Sequence, residues 1–271
     1  MPHVDLHLHL LPGVDDGPPD EAASLEHAER IARAGVSEAT ATPHVGHPWF
    51  PLDIASIPAR TAALQAAIDR AGLPLRLHAG GEIHPDGARS LEADDLALIA
   101  HGPERARWVL LEVPFAGIGE PFLDACSHVR GHGYGIVIAH PERAAGFLDG
   151  GRERLRPVLE AGALLQVNVC SLLGRHGPEA RAGAQRLVRD GAAYLLASDG
   201  HGGTRAHTLA EGRTSALAAG ASPLRARQLT GANPRFLLRH GIPAQPPRPR
   251  AWRPAHSARV DAAVAAARAR R

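Results

Sequence analysis

The stretch that decides the fold is VDLHLHLLPGVDDG, residues 4 to 17. It sets two histidines two apart among leucines and follows them with a pair of aspartates. In an extended chain alternate side chains share a face, so Asp5, His7 and His9 fall on one side and Leu6, Leu8 and Leu10 on the other. Polar groups on the inner face of a buried strand need partners, because an unpaired buried polar group is costly. A metal ion suits two neutral imidazoles and a carboxylate. A partly exposed edge strand with solvated histidines would leave the same pattern, so the rest of the chain must separate the two.

Working outward, apolar runs of strand length recur. They are SEATATPH (37 to 44), LRLHAGGE (75 to 82), RWVLLEVP (107 to 114), YGIVIAHPER (134 to 143), ALLQVNV (163 to 169) and AAYLLASDGH (192 to 201). Helical stretches lie between them. DEAASLEHAERIARAG is the clearest, opening on Asp20 and closing at Gly35 in keeping with capping preferences. ASIPARTAALQAAIDRAG and PEARAGAQRLVRDG read the same way. Strand–helix alternation repeated about seven times implies an α/β fold of parallel strands joined by crossover helices.

A chain of 271 residues with 44% apolar residues suits one large domain of this kind. The formal net charge of +2 gives no general reason to expect nucleic acid. Every basic residue is Arg, which excludes chemistries built on a catalytic lysine. Cys126 and Cys170 form no C-x-x-C pair and fit a reducing cytosol. No run reaches membrane-span length, and no basic-then-apolar leader opens the chain, so a cytoplasmic protein is expected. The domain is expected over residues 1–242. Residues 243–271, beginning PAQPPRPRAWRPAH, read as a flexible Pro/Arg-rich tail, whose final SARVDAAVAAARARR is expected to be solvated and has a short basic helix as its alternative.

Metal-capable side chains collect at the strand ends. The first strand supplies His7 and His9, and its loop Asp15 and Asp16. The following strands supply His44, Glu82, Glu112 and His140, and the seventh supplies Asp199 and His201. In a parallel β/α barrel all C-terminal strand ends meet on one face, where active sites are built. A single histidine at a strand end is more often structural; ligand-type residues on six strands of seven point to a multi-metal site.

In this order and spacing, DLHLHLLPGVDDG, ATPH, GGE, LLEVP, AHPER and SDGH resemble the polymerase and histidinol phosphatase (PHP) superfamily. LPGVDDG and HPER are most similar to its bacterial capsular-polysaccharide tyrosine-phosphatase branch. The resemblance covers roughly residues 3 to 240. It implies a distorted seven-stranded parallel (β/α) barrel holding three divalent ions of Mn, Fe or Zn. It places one metal on His7, His9, Glu82 and Asp199, and a second on bridging Glu82 with Glu112 and His140. A third would lie on Asp16, His44 and His201, leaving Asp15 a turn or supporting role. It assigns phosphate binding to Arg143 and to a second arginine, Arg205, with Arg213 as the alternative because the spacing after SDGH is one residue short. Gly202 stands where the branch often has Asn. The implied partner is a phosphotyrosine-bearing protein, such as the tail of a bacterial tyrosine kinase.

The chemistry follows from such a ligand set. Mixed imidazole and carboxylate donors suit these metals, and a bridged pair lowers the pKa of a shared water for attack on phosphorus. Arg143 would clamp the phosphate through its fork. Other classes fit less well. CSLLGR (170 to 175) is C-x4-R, not the C-x5-R of cysteine phosphatases, and no Gly pair has dinucleotide-binding spacing. Trp49 could line a groove for an aromatic substrate or simply pack locally. His27, His78, His84, His101, His128, His132, His176 and His207 are expected mainly on helices or loops, in solvated or capping roles. A small phosphomonoester such as histidinol phosphate is the alternative substrate, and a degenerate scaffold is the alternative of another class.

Overall fold

Among the described residues, nine short strands, all paired in parallel, carry the architecture. They are β1 (His3–Leu8), β2 (Val36–Ala41), β3 (His44–Val45), β4 (Arg76–Ala79), β5 (Glu82–Ile83), β6 (Trp108–Glu112), β7 (Gly135–Ala139), β8 (Leu164–Asn168) and β9 (Ala193–Ala197). The computed structural model describes residues 2–242, so the expected tail lies outside the described residues. One sheet has the order β1-β2-β4 and the other β3-β5-β6-β7-β8-β9.

Seven strand runs were expected and nine strand segments are found among the described residues, because the second and third expected strands each break in two. Pro43 interrupts one, since it has no N–H to give the ladder. Gly80 and Gly81 interrupt the other. A Cβ on Gly80 would lie 2.5 Å from the rings and methyls of His101 and Thr40, and one on Gly81 would lie 2.7 Å from Val45. The glycines permit a close crossing at which each strand leaves the three-stranded sheet and enters the six-stranded one. A parallel bridge between Leu8 and Gly200 connects β1 to the chain just after β9.

Helices cover the outer faces. Glu21–Arg33 begins where the Asp20 side chain accepts from Ala23 N at 2.9 Å, as its capping signal suggested. The other two expected helices form over Ile57–Arg70 and Gly177–Arg189. Side chains of Val109, Leu111, Ile136, Ile138 and Leu196 pack in the larger core between sheet and helices. Alternate residues Trp108, Leu110, Val137, Leu164, Leu195 and Ala197 form a smaller cluster with Leu237 and Ile242. The helix Asn233–His240 supports that cluster from the ends where the strands begin: Trp108 Nε1 donates to Leu237 O at 3.1 Å, and Ile242 N to Ala106 O at 2.8 Å.

Strict alternation fails in β1. Val4 and Leu6 join the smaller cluster, whereas Leu8 and Leu10 join the larger one. The pairing with β2 shifts between Asp5 and Leu8, and such an irregularity moves side chains to the other face. Asp5 consequently does not stand with the two histidines as expected. Its Oδ1 accepts from Ser198 N at 3.1 Å, tying β1 to the chain after β9, and burial raises its carboxyl to about 6.

Candidate metal centre

The same alternation that fills the smaller cluster delivers polar groups at the other end of the strands. Glu112 follows Trp108 and Leu110 on β6, and Gln166 and Asn168 follow Leu164 on β8. His140 and Asp199 lie just past β7 and β9, and both turn sharply. Among the described residues they are the non-glycine residues with positive φ, 31° and 50°. A side chain in that region is strained unless its surroundings hold it, and such strain collects at functional sites.

Glu82 is the hub. Its Oε2 lies 3.1 Å from His7 Nε2, 3.2 Å from His9 Nε2 and 3.3 Å from His44 Nδ1, while Oε1 lies 2.9 Å from His140 Nε2. Asp199 Oδ1 approaches the same two imidazoles, at 3.3 Å from His7 and 3.4 Å from His9. A further group gathers on Asp16, whose Oδ1 lies 3.2 Å from His201 Nε2 and 3.4 Å from His44 Nε2. The donor atoms fall into three sets: His7, His9, Glu82 and Asp199; His9, Asp16, His44 and His201; and His44, Glu82 and Glu112. The first is the set anticipated from the sequence. The second adds His9 to the anticipated three. The third has His44 where His140 was expected; His140 Nε2 stands 4.0 Å from Glu112 and closer to Glu82.

Two contacts set the electrostatics: acid packed against acid at Glu112, and imidazole packed against acid at the other carboxyls. Burial and the neighbouring Glu82 and Asp199 push Glu112 up to about 9. Burial works the same way on Asp16, Glu82 and Asp199, but the surrounding histidines outweigh it and hold all three carboxyls low. Burial opposes charge on His7 and His9; their carboxylate neighbours overcome it and raise both. Burial lowers His140 and His201. Nδ1 of His140 is buried with no hydrogen-bond partner, and Nδ1 of His44 has only its 3.3 Å approach to Glu82 Oε2. Buried Glu82, Glu112 and Asp199, half-exposed Asp16, imidazoles with lone pairs and an orphaned ring nitrogen fit divalent cations of the Zn, Mn or Fe kind, which accept such mixed donors.

Supporting groups orient the donors. Asp15, between the histidine strand and Asp16, accepts His9 Nδ1 at 2.8 Å and the backbone N–H of Gly17 and His44. Gln166 Oε1 lies 3.1 Å from His7 Nδ1 and accepts His140 N. Asn168 Nδ2 donates to Asp199 Oδ2 at 2.6 Å, and its N–H donates to buried Glu142. Such contacts set ring orientation and donor basicity. The sequence reading passed over Gln166 and Asn168, although two amides two apart in an apolar strand were a usable signal.

The arginines separate cleanly. Arg143 Nη1 donates to Asp199 Oδ2 at 3.2 Å. Arg205 Nη1 donates to Asp16 Oδ2 at 2.6 Å, and its Nη2 lies 2.9 Å from His201 Nε2. Arg213 instead acts electrostatically on His3, at the opposite end of β1. Trp49 is exposed, and its loop neighbour Phe50 stacks on His44 at 5.3 Å. Three of the histidines expected in solvated or capping roles are otherwise placed. His27 and His101 are buried, and burial lowers them to about 4 and about 3. His176 Nδ1 lies 3.0 Å from buried Ser171 Oγ, and burial, with Arg143 and Arg205 nearby, lowers it to about 4. Burial raises the Cys170 thiol, the opposite of what a thiolate nucleophile needs.

With this geometry in place, the likeness to known proteins becomes specific. Residues 3–239 match the family described as capsular polysaccharide synthesis, CpsB/CapC. The chain belongs to the CpsB/CapC family. Among its relatives, the tyrosine-protein phosphatase YwqE of Bacillus subtilis is 29% identical over 198 residues, 73% of this chain and 77% of that protein. A solved structure from work on YwqE of Bacillus subtilis and CpsB of Streptococcus pneumoniae, described as metal-dependent tyrosine phosphatases, superposes with a TM-score of 0.74. It is 28% identical and covers 91% of this chain and 98% of that one. The phosphotriesterase homology protein of Escherichia coli shares the fold alone, with a TM-score of 0.55, 14% identity and coverage of 86% and 97%.

Proposed function

We propose that this CpsB/CapC-family protein is a metal-dependent protein-tyrosine phosphatase. The observation that carries the reading is the joining of three donor sets through the shared residues His9, His44 and Glu82, with two arginines at their edge. His7, His9, Asp16, His44, Glu82, Glu112, His140, Asp199 and His201 would hold three divalent ions, which supply Lewis acidity when bound. Arg143 and Arg205 bring two forked, permanently charged donors to the phosphate. Asp15, Gln166 and Asn168 hold the donors in position before substrate arrives. A phenolate leaves without needing much protonation, which suits a site lacking a dedicated acid. The names of the relatives support phosphotyrosine as the substrate class. We extend this to a phosphotyrosine-bearing partner in the cytoplasm, such as a bacterial tyrosine kinase tail, and to an enzyme serving polysaccharide synthesis.

We also read the two sheets as one distorted seven-stranded barrel, on the support of the Leu8–Gly200 bridge and the two runs, β2 to β3 and β4 to β5, that pass from one sheet into the other. Among the described residues no helix is long and apolar enough to cross a membrane. The test of function is hydrolysis by the Mn-, Fe- or Zn-loaded protein of a phosphotyrosine peptide against histidinol phosphate, with metal content measured on the same sample. Peptide hydrolysis dominating at about three ions per chain is expected. Preference for histidinol phosphate, or no metal uptake, overturns the reading.

A further inference from the structure

Arg143 can clamp a phosphate only if its long side chain is held, and one neighbour is placed to do so. Its guanidinium carbon lies 4.3 Å from the centre of the Phe115 ring, within cation–π range. Phe115 sits in the loop after β6, and its carbonyl accepts from Ala145 N at 2.9 Å. That bond ties this loop to the one that carries Arg143. The ring centre is 6.0 Å from that of His140, so Phe115 borders the donor sets. A core role would bury the ring, as it does Phe122 and Phe147 at 0% and 1% exposure, yet Phe115 is 49% exposed. Half of an anchored aromatic surface is thus left open beside the residue that would hold the phosphate.

We propose that Phe115 is a positioning and specificity residue. Its ring holds the Arg143 guanidinium toward the donor sets, and its open part takes the aryl group of an aryl phosphomonoester. This rests on the reading of the site as a phosphotyrosine phosphatase. An alkyl phosphate would gain only the arginine, whereas an aryl phosphate would gain the arginine and the ring contact.

The experiment measures binding of phenylphosphonate and methylphosphonate, neither of which is hydrolysed, to the full metal-loaded chain by calorimetry. Wild-type protein is expected to favour the phenyl compound. Phe115→Leu keeps an apolar side chain but removes the π face. It should weaken phenylphosphonate about 3- to 30-fold, and methylphosphonate less. Phe115→Trp should keep the preference. In an Arg143→Ala background the effect of Phe115→Leu on methylphosphonate should vanish, because the ring acts on that ligand only through the arginine. Melting temperature and metal content, matched across the variants, confirm intact folding. An unchanged phenyl-to-methyl ratio in Phe115→Leu, or a methylphosphonate effect that persists without Arg143, overturns the proposal. Wild-type protein that takes up metal but binds neither phosphonate overturns the phosphatase reading and this inference with it.

Discussion

The two ends of the same strands make opposite use of one alternation. Where the strands begin, Trp108 and Leu110 meet Leu237 and Ile242 in an apolar cluster. Where they finish, Glu112, Gln166, Asn168 and Asp199 face one another and a set of histidines. The first end removes apolar surface from water and stabilises the fold. The second crowds buried like charges, which costs stability unless cations or imidazoles neutralise them. The contrast teaches that the supporting end and the chemical end can be perturbed separately.

The largest expected effect is at the chemical end. Asp199→Ala removes a buried carboxylate that stands beside His7 and His9 and is held by Asn168 and Arg143. Bound metal should fall, and kcat/KM on a phosphotyrosine peptide should drop by about three orders of magnitude. The fold should survive, since the apolar cluster at the supporting end is untouched. Unfolding of this variant, seen by circular dichroism, would break the contrast. The next effect is at the supporting end. Trp108→Ala empties a buried site and leaves the Leu237 carbonyl with only its backbone donor, Gly241 N, so denaturant unfolding should show a loss of about 3–5 kcal/mol. Metal content of the remaining folded protein should stay at the wild-type level; a loss of metal without a loss of stability would reverse the assignment of the two ends.

The smallest effect concerns pH. His101 packs against Trp108 with ring centres 4.8 Å apart, and burial pulls its pKa from 6.5 to about 3. The unfolded chain takes up a proton below its ordinary pKa that the folded protein refuses. The contribution of this neutral histidine is therefore fully present above about pH 6.5 and is lost as pH falls toward 3, at up to about 1.4 kcal/mol per pH unit. Urea unfolding of wild type and His101→Gln at pH 7 and pH 5 isolates it, because other groups titrate alike in both. Equal losses in the two proteins would show that His101 carries no such linkage.

Most donors were legible because they sit at strand ends, where an apolar run stopping on His, Glu or Asp is conspicuous. His44, Glu82, Glu112, His140 and Asp199 could each be read from such a stop. Parallel pairing followed from the helices between the runs. Residues that work inside the runs were harder to see. Gln166 and Asn168 lie within a strand whose apolar character hides them, and their partners His7 and Asp199 are 159 and 31 residues away.

The sequence by itself determined the parallel α/β class, the gathering of a histidine and carboxylate set at one end of the strands, and the caps that open helices such as Glu21–Arg33. These depend on local alternation, local capping and the direction of the strands. Only the tertiary structure decided which donors share Glu82, that Arg205 and not Arg213 reaches the site, and that β1 turns its face between Asp5 and Leu8. It alone split two strands between two sheets at Pro43 and at Gly80–Gly81, and it alone brought Phe115 over Arg143. The physical reason is range: alternation decides which side of a strand a residue takes, but register shifts and loop-to-loop packing between distant segments decide what it meets there.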